Sequence, residues 1–286
     1  MAGIAHLAAP RCSLGEGASY DAQSGELSWV DIPESRAFGW NGTLSAYAAA
    51  EETAFIFRLS DGTRVEGGAG GIVVGGKTYV PPGLGSGEAL NDAAVHPSGR
   101  MAVIGSRHRA ERERLGQCWI LSSRGWERMD QRFTVFNGPA FSPGGEWLYY
   151  ADSAERTIWR RAVLGESFAL GPATAFAQIT VEAGYPDGAA IDDAGFLWST
   201  HWDGARLTRY RPDGMIERVV ALPVARPTSL AFFGADLDQI AVTTALPDGA
   251  NPVSLPETDL SGRLLLLSAG ISGPSRPRLN AGLILG

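Results

Sequence analysis

The stretch Asp187-Gly188-Ala189-Ala190-Ile191-Asp192-Asp193-Ala194-Gly195-Phe196-Leu197-Trp198-Ser199-Thr200 decides the fold. An oxygen-bearing side chain comes first, then small and apolar residues, then a turn, then a strand. The same order returns elsewhere. Glu16 opens Glu16-Gly17-Ala18-Ser19-Tyr20-Asp21 and the strand Glu26-Leu27-Ser28-Trp29-Val30 follows. Asn91 opens Asn91-Asp92-Ala93-Ala94-Val95-His96-Pro97, followed by Met101-Ala102-Val103-Ile104. Asn137 opens Asn137-Gly138-Pro139-Ala140-Phe141-Ser142-Pro143, followed by Glu146-Trp147-Leu148-Tyr149-Tyr150. These positions lie 75, 46 and 50 residues apart. The first gap is long enough to hide a diverged copy between Asn41 and Gly87. A further copy starts at Thr228-Ser229-Leu230-Ala231 and continues into Gln239-Ile240-Ala241-Val242.

Periods in the forties, each holding several short strands, predict a propeller and not a helical solenoid. Five visible copies and one implied give an all-β, six-bladed β-propeller. No linker interrupts residues 1–286, which are read as one domain. Pro143-Gly144-Gly145 and Pro212-Asp213-Gly214 are hairpin turns. Leu207–Tyr210 and Thr157–Arg160 are expected as outer strands with exposed basic residues. In a propeller the innermost strands line a central channel, so the residues at their entries converge on one axis.

The formal charge of −7, with no Lys/Arg run, excludes a nucleic-acid partner from the expectation. No apolar stretch approaches bilayer length. Met1 to Pro10 has neither a basic n-region nor a long h-region, which points to a cytoplasmic protein. Cys12 and Cys118 have no CxxC spacing and are read as unpaired thiols. Oligomeric state has no signature in the chain. Gly71-Ile72-Val73-Val74-Gly75-Gly76-Lys77-Thr78 matches a P-loop pattern literally, but no strand precedes it and Pro81-Pro82 forbids a following helix. It is read as a hairpin around Gly75-Gly76. Neither Gly-x-Ser-x-Gly nor His-Glu-x-x-His occurs, so serine-hydrolase and zincin chemistry have no support.

The repeated segments resemble the SMP-30/gluconolactonase family, the regucalcin-like sugar lactonases. The matching motifs are Leu14-Gly15-Glu16-Gly17 with Trp29-Val30-Asp31-Ile32, Asn91-Asp92, Asn137-Gly138 with Phe141-Ser142-Pro143 and Ala151-Asp152, Pro186-Asp187-Gly188 with Leu197-Trp198, and Arg226-Pro227-Thr228-Ser229 with Thr243-Thr244-Ala245. They occur in the family's order over nearly the whole chain except residues 33 to 88. The resemblance implies one divalent metal in the channel, held by Glu16, Asn137 and Asp187. It implies that Asp187 is also the catalytic base and that Asn91 contacts substrate or a bound water. An all-oxygen set suits Ca, Mg or Mn, with Zn or Fe as further candidates. The implied reaction is metal-dependent hydrolysis of a sugar lactone to the aldonic acid. The competing reading is a non-catalytic calcium- or ligand-binding propeller.

Two departures bear on the substrate. The family's Arg two residues before Asn91 is Ala89 here, and its Gly-Thr-Met is Gly105-Ser106-Arg107. Arg107 and His108 are therefore expected at the channel mouth. A family glutamate corresponds to Glu111 or Glu113, of which Glu113 is taken as the substrate-binding candidate. His201 is read as packed or at the channel edge, Asp192 and Asp193 as turn residues, and Asp92 as structural or as supporting the site.

Overall fold

The computed structural model describes residues 3–285, and their strands form six antiparallel sheets arranged as blades. The first blade is Gly15–Asp21, Glu26–Asp31, Arg36–Trp40 and Leu44–Ala48. The second is Phe55–Arg58, Arg64–Gly68, Gly71–Val74 and Lys77–Tyr79. The third is Glu88–Val95, Met101–His108, Cys118–Ser122 and Gly125–Arg128. The fourth comprises Phe136–Phe141, Trp147–Asp152 and Thr157–Leu164, with Ala169–Leu170 and Thr174–Gln178 along its outer edge. The fifth is Tyr185–Ile191, Leu197–Trp202, Arg206–Tyr210 and Ile216–Ala221. Pro227–Phe233, Gln239–Thr244 and Leu265–Ser268 make the sixth, whose outer strand is the N-terminal Ala5–His6. That pairing closes the ring with strands from both ends of the sequence, and the chain is a six-bladed β-propeller.

Burial falls from the axis outwards. Every residue of the innermost strands Phe136–Phe141 and Pro227–Phe233 is buried, whereas the outer strand Ile216–Ala221 is almost wholly exposed. Inner strands of successive blades contact one another around the ring, so apolar residues are packed between blades and not only within them. The hidden copy in the long gap is the second blade. Its Gly71–Val74 and Lys77–Tyr79 strands pair around Gly75-Gly76, as expected for a hairpin. Cys12 and Cys118 are buried and free. Thr157–Arg160 and Leu207–Tyr210 belong to the third strands of their blades, and here the expectation of exposed basic residues needs correction. Arg209 is buried, pairing with Asp192 at 2.8 Å and Glu217 at 3.0 Å and stacking on Phe196.

After the sixth blade the chain crosses the end of the propeller that carries the first hairpin turn of each blade. Ser272 accepts a hydrogen bond from Asp193 N–H, Arg278 pairs with Asp21, and Leu279 bridges to Leu59. Arg276, midway, donates to Ala18 O at 2.9 Å and lines a cavity of about 380 Å³ at this end of the channel. The opposite end carries the site. Among the described residues no helix is long and apolar enough to cross a membrane.

Candidate active site

Glu16, Asn137 and Asp187 sit near the starts of their inner strands and Asn91 midway along its own, and in each the ladder register breaks beside them. The shifts fall between Glu16 and Ser19, Leu90 and Asp92, Asn137 and Ala140, and Pro186 and Ala189. A bulge re-aims a side chain away from the regular pleat, and the same irregularity in four blades turns four oxygen-bearing side chains to one end of the channel. All four line a single cleft of about 530 Å³.

The glycines that follow them serve close packing. A Cβ on Gly138 would stand 2.4 Å from Asp187 O, and one on Gly188 would stand 2.6 Å from Ser229 Cα. Asn137-Gly138 and Asp187-Gly188 are thus dipeptides that let neighbouring inner strands approach, not hairpin turns. The segments leading into two of these strands are anchored by aspartates. Asp31, on the second strand of its blade, accepts from Ser13 and Leu14 N–H; Asp152 accepts from Thr134 and Val135 N–H. Asp92 links blades: its carboxylate accepts from Ala93 N–H at 2.7 Å and from Gly138 N–H at 3.0 Å.

The amides are oriented by their partners. Asn137 Nδ2 donates to Ser153 Oγ at 3.0 Å, and Ser153 donates to Pro186 O. Asn91 Nδ2 donates to Phe136 O at 2.9 Å and to Asn137 Oδ1 at 2.8 Å. Asn137 Oδ1 thus accepts one hydrogen bond and keeps one lone pair free, and Asn91 Oδ1 accepts from no protein donor among the described residues. Burial, then the charge of Asp92, pushes Glu16 up to about 8, against the Gly17 N–H and Arg107. Burial, then the charges of Glu16, Asp92 and Glu111, raises Asp187 well above the carboxylate range. Burial raises Asp92 to about 6, while the Arg276 guanidinium and two backbone N–H groups hold it down. Carboxylates crowded in this way hold protons unless a cation joins them.

Arg107 lines the same cleft and is the register partner of Ala89 on the adjoining strand. Directly opposed residues share a face of the sheet, so the small Ala89 lies beside the arginine. Arg107 pairs with Glu111 at 3.3 Å. His108 and Glu113 do not line the cleft: His108 Nδ1 accepts from the N–H groups of Arg112 and Glu113 at 3.2 and 2.9 Å, which folds the loop upon itself. Of the two glutamates, Glu111 faces the site.

Ser153, Arg156, Tyr185, Trp202 and Asp203 also line the cleft and escaped the sequence reading. Arg156 and Asp203 lie in the loops after the second strands Trp147–Asp152 and Leu197–Trp202. Counting outward from the bulges to those loops is the one signal that finds them.

His201 is 1% exposed and packed. Its Nδ1 donates to Ala183 O at 2.9 Å and its Nε2 accepts from Tyr210 Oη at 3.3 Å. Burial lowers its pKa from 6.5 to about 4. Between those pH values the unfolded chain takes up a proton that the folded chain refuses. This contribution, about 3 kcal/mol from the size of the shift, is present above pH 6.5 and lost as pH falls towards 4. His201→Gln is expected to show a shallower loss of stability than the wild type across that window, measured by denaturant unfolding at several pH values; parallel curves would refute it.

A family model described as the SMP-30/gluconolactonase/LRE-like region matches residues 14–246. The chain belongs to this family. It is 28% identical over 286 residues to a pentonolactonase of Haloferax volcanii, covering 96% of this chain and 97% of that protein. It is 28% identical over 259 residues to a 6-deoxy-6-sulfogluconolactonase of Pseudomonas putida, covering 90% and 84%. A calcium-binding protein of Agrobacterium tumefaciens, regucalcin, has the same fold with a TM-score of 0.88 at 23% identity, covering 98% and 97%. The first two of these relatives are named as sugar lactonases, which supports a lactone-hydrolysing enzyme.

Proposed function

We propose that this protein hydrolyses a sugar lactone to the open-chain acid with one divalent cation, held by Glu16, Asn137 and Asp187. The observation that carries the reading is the convergence of four oxygen-bearing side chains, from four separate blades, on one cleft. The donor chemistry fits a hard cation: two carboxylates and two side-chain amides, with no thiolate or imidazole among the cleft-lining residues. Among the described residues no three His, Cys, Asp or Glu side chains gather as a metal site by themselves. The amide of Asn137 is therefore an essential donor in this proposal. Glu16 and Asp187, whose ionisation is opposed by burial and by neighbouring carboxylates, gain a counter-charge.

When bound, the cation supplies Lewis acidity towards the lactone carbonyl. Asp187 orients a water and accepts its proton as the water oxygen adds to the carbonyl carbon. The bond to the ring oxygen then breaks and the proton passes to that oxygen, so lactone and water give one hydroxy acid. Asn91, with both amide hydrogens committed, offers its oxygen to a substrate hydroxyl or to the water. Arg107 occupies the place beside Ala89 and contacts the sugar. The test is acid release from a panel of lactones by the metal-loaded protein; no release from any of them would favour the binding-propeller reading.

The Ala89/Arg107 register makes a second test. Ala89→Arg with Arg107→Met moves the cation across one strand pair. The double variant is expected to reorder the lactone preference by at least about tenfold in kcat/KM ratio, the scale of one charged hydrogen bond. An unchanged order would remove Arg107 from the substrate contacts.

A further inference from the structure

Most charged side chains of the cleft have a direct or proposed counter-charge. Glu16 and Asp187 face the proposed cation, Arg107 pairs with Glu111, and Asp203 pairs with Arg226 at 2.7 Å. Arg156 remains. It lines the cleft, yet among the described residues no carboxylate forms an ion pair with it. Its Nε donates to Gly184 O at 3.2 Å, and the guanidinium lies 3.9 Å from the centre of the Tyr185 ring. Among the described residues neither Nη group donates to a protein acceptor; the exposed Glu182 acts on the guanidinium through charge alone.

The backbone shows that this placement is imposed. Arg156 has φ 51°, a left-handed conformation that disfavours side chains. It is fixed by a hydrogen bond from Arg156 N–H to Ser153 O and by two that its carbonyl accepts, from Ile179 N–H and Gln178 Nε2. Glu111 and Asp203, two further charged residues lining the cleft, also have positive φ, 54° and 55°. Tyr185, which carries the guanidinium, precedes Asp187 by two residues on the same strand, about 7 Å along it. That distance is comparable to the length of a sugar-acid chain.

We propose that Arg156 receives an anionic substituent carried on the lactone away from its reacting carbonyl, so that the preferred substrates are acidic sugar lactones. This rests on the lactonase reading and narrows it. Two lactonases to which the chain is similar act, by their names, on unlike sugars, and the choice is made here by the guanidinium of Arg156. Carboxylate, sulfonate and phosphate share the required chemistry, an anion accepting from two parallel N–H groups.

The experiment compares lactones of one ring and one stereochemistry whose terminal carbon is a hydroxymethyl, a carboxylate or a phosphate ester. The wild type is expected to favour an acidic member by at least about tenfold in kcat/KM. The carboxylate and phosphate arms distinguish which anion fits. Arg156→Gln is expected to collapse that preference through KM. Arg156→Gly, which relieves the left-handed backbone and so preserves the fold, is expected to collapse it equally, and Arg156→Lys to restore part of it. Equal use of acidic and neutral lactones by the wild type, or an unchanged ratio in both variants, would overturn the proposal.

Calorimetry separates this from failure of the lactonase reading. The open-chain diacid is expected to bind more tightly than the monoacid of the same skeleton, and Arg156→Gln to abolish the difference. If no lactone is hydrolysed but that difference is seen, the lactonase reading falls and the anion site stands. If lactones are hydrolysed and the difference is absent, the anion site falls alone.

Discussion

Asp187→Asn is expected to fold, to bind a divalent cation more weakly than the wild type, and to lose lactone hydrolysis by at least about a hundredfold at saturating metal, the scale of general-base removal. The substitution retains an oxygen and nearly the same volume at a site that is 6% exposed, so packing between the fourth, fifth and sixth inner strands is preserved. It removes the negative charge and the proton acceptor. It also removes repulsion: the Asp187 carboxylate stands among Glu16, Asp92 and Glu111, whose charges oppose its ionisation. The cation-free variant should therefore be no less stable than the cation-free wild type at neutral pH. Steady-state kinetics over a metal series, with thermal unfolding of both proteins, checks this. Wild-type turnover in the variant would show that the catalytic carboxylate lies elsewhere.

Asp192→Asn, five residues along the same chain segment, is expected to give the opposite signature. Asp192 is fully buried. One carboxylate oxygen accepts from the N–H groups of Ala194 and Phe196 at 3.0 Å each, and the other accepts from Trp198 Nε1 at 2.9 Å and Arg209 Nε at 2.8 Å. An amide offers one acceptor oxygen and turns an NH₂ group towards donors. It also leaves the buried Arg209 with Glu217 as its remaining carboxylate partner. Breaking one side of a buried charged pair costs about 3 kcal/mol or more. The variant should unfold several degrees lower, while the molecules that remain folded keep wild-type kcat. Denaturant unfolding and active-fraction kinetics measure both. Unchanged stability would mean that Asp192 is no more than a turn residue.

That reversal shows what the sequence could convey. Asp192-Asp193-Ala194-Gly195 has the same letters whether its first aspartate faces water or the core; the deciding partner, Arg209, arrives 17 residues later on another strand. The inner strands were legible because a short pattern recurs with a functional oxygen at one place in each copy. The second blade was hidden because its inner strand, Phe55–Arg58, carries no such residue at its entry. Cleft membership of Glu16, Asn91, Asn137 and Asp187 followed from propeller geometry. The choice of Glu111 over Glu113 did not, because the irregular loop between them has no period to align. Nothing in the pattern announced that Arg156 would sit at positive φ against Tyr185, or that the Arg276 charge would act on Asp92.

The central claim is that one cation at Glu16, Asn137 and Asp187 enables hydrolysis. It is tested most directly by stripping the protein with a chelator and titrating a single divalent metal back while acid release from a lactone is followed. The stripped protein is expected to be inactive, with turnover rising to a plateau at one equivalent for a tightly bound metal, and Glu16→Gln is expected to need substantially more metal to reach its plateau. Full turnover by the stripped protein, or a metal response that Glu16→Gln leaves unchanged, would contradict the account.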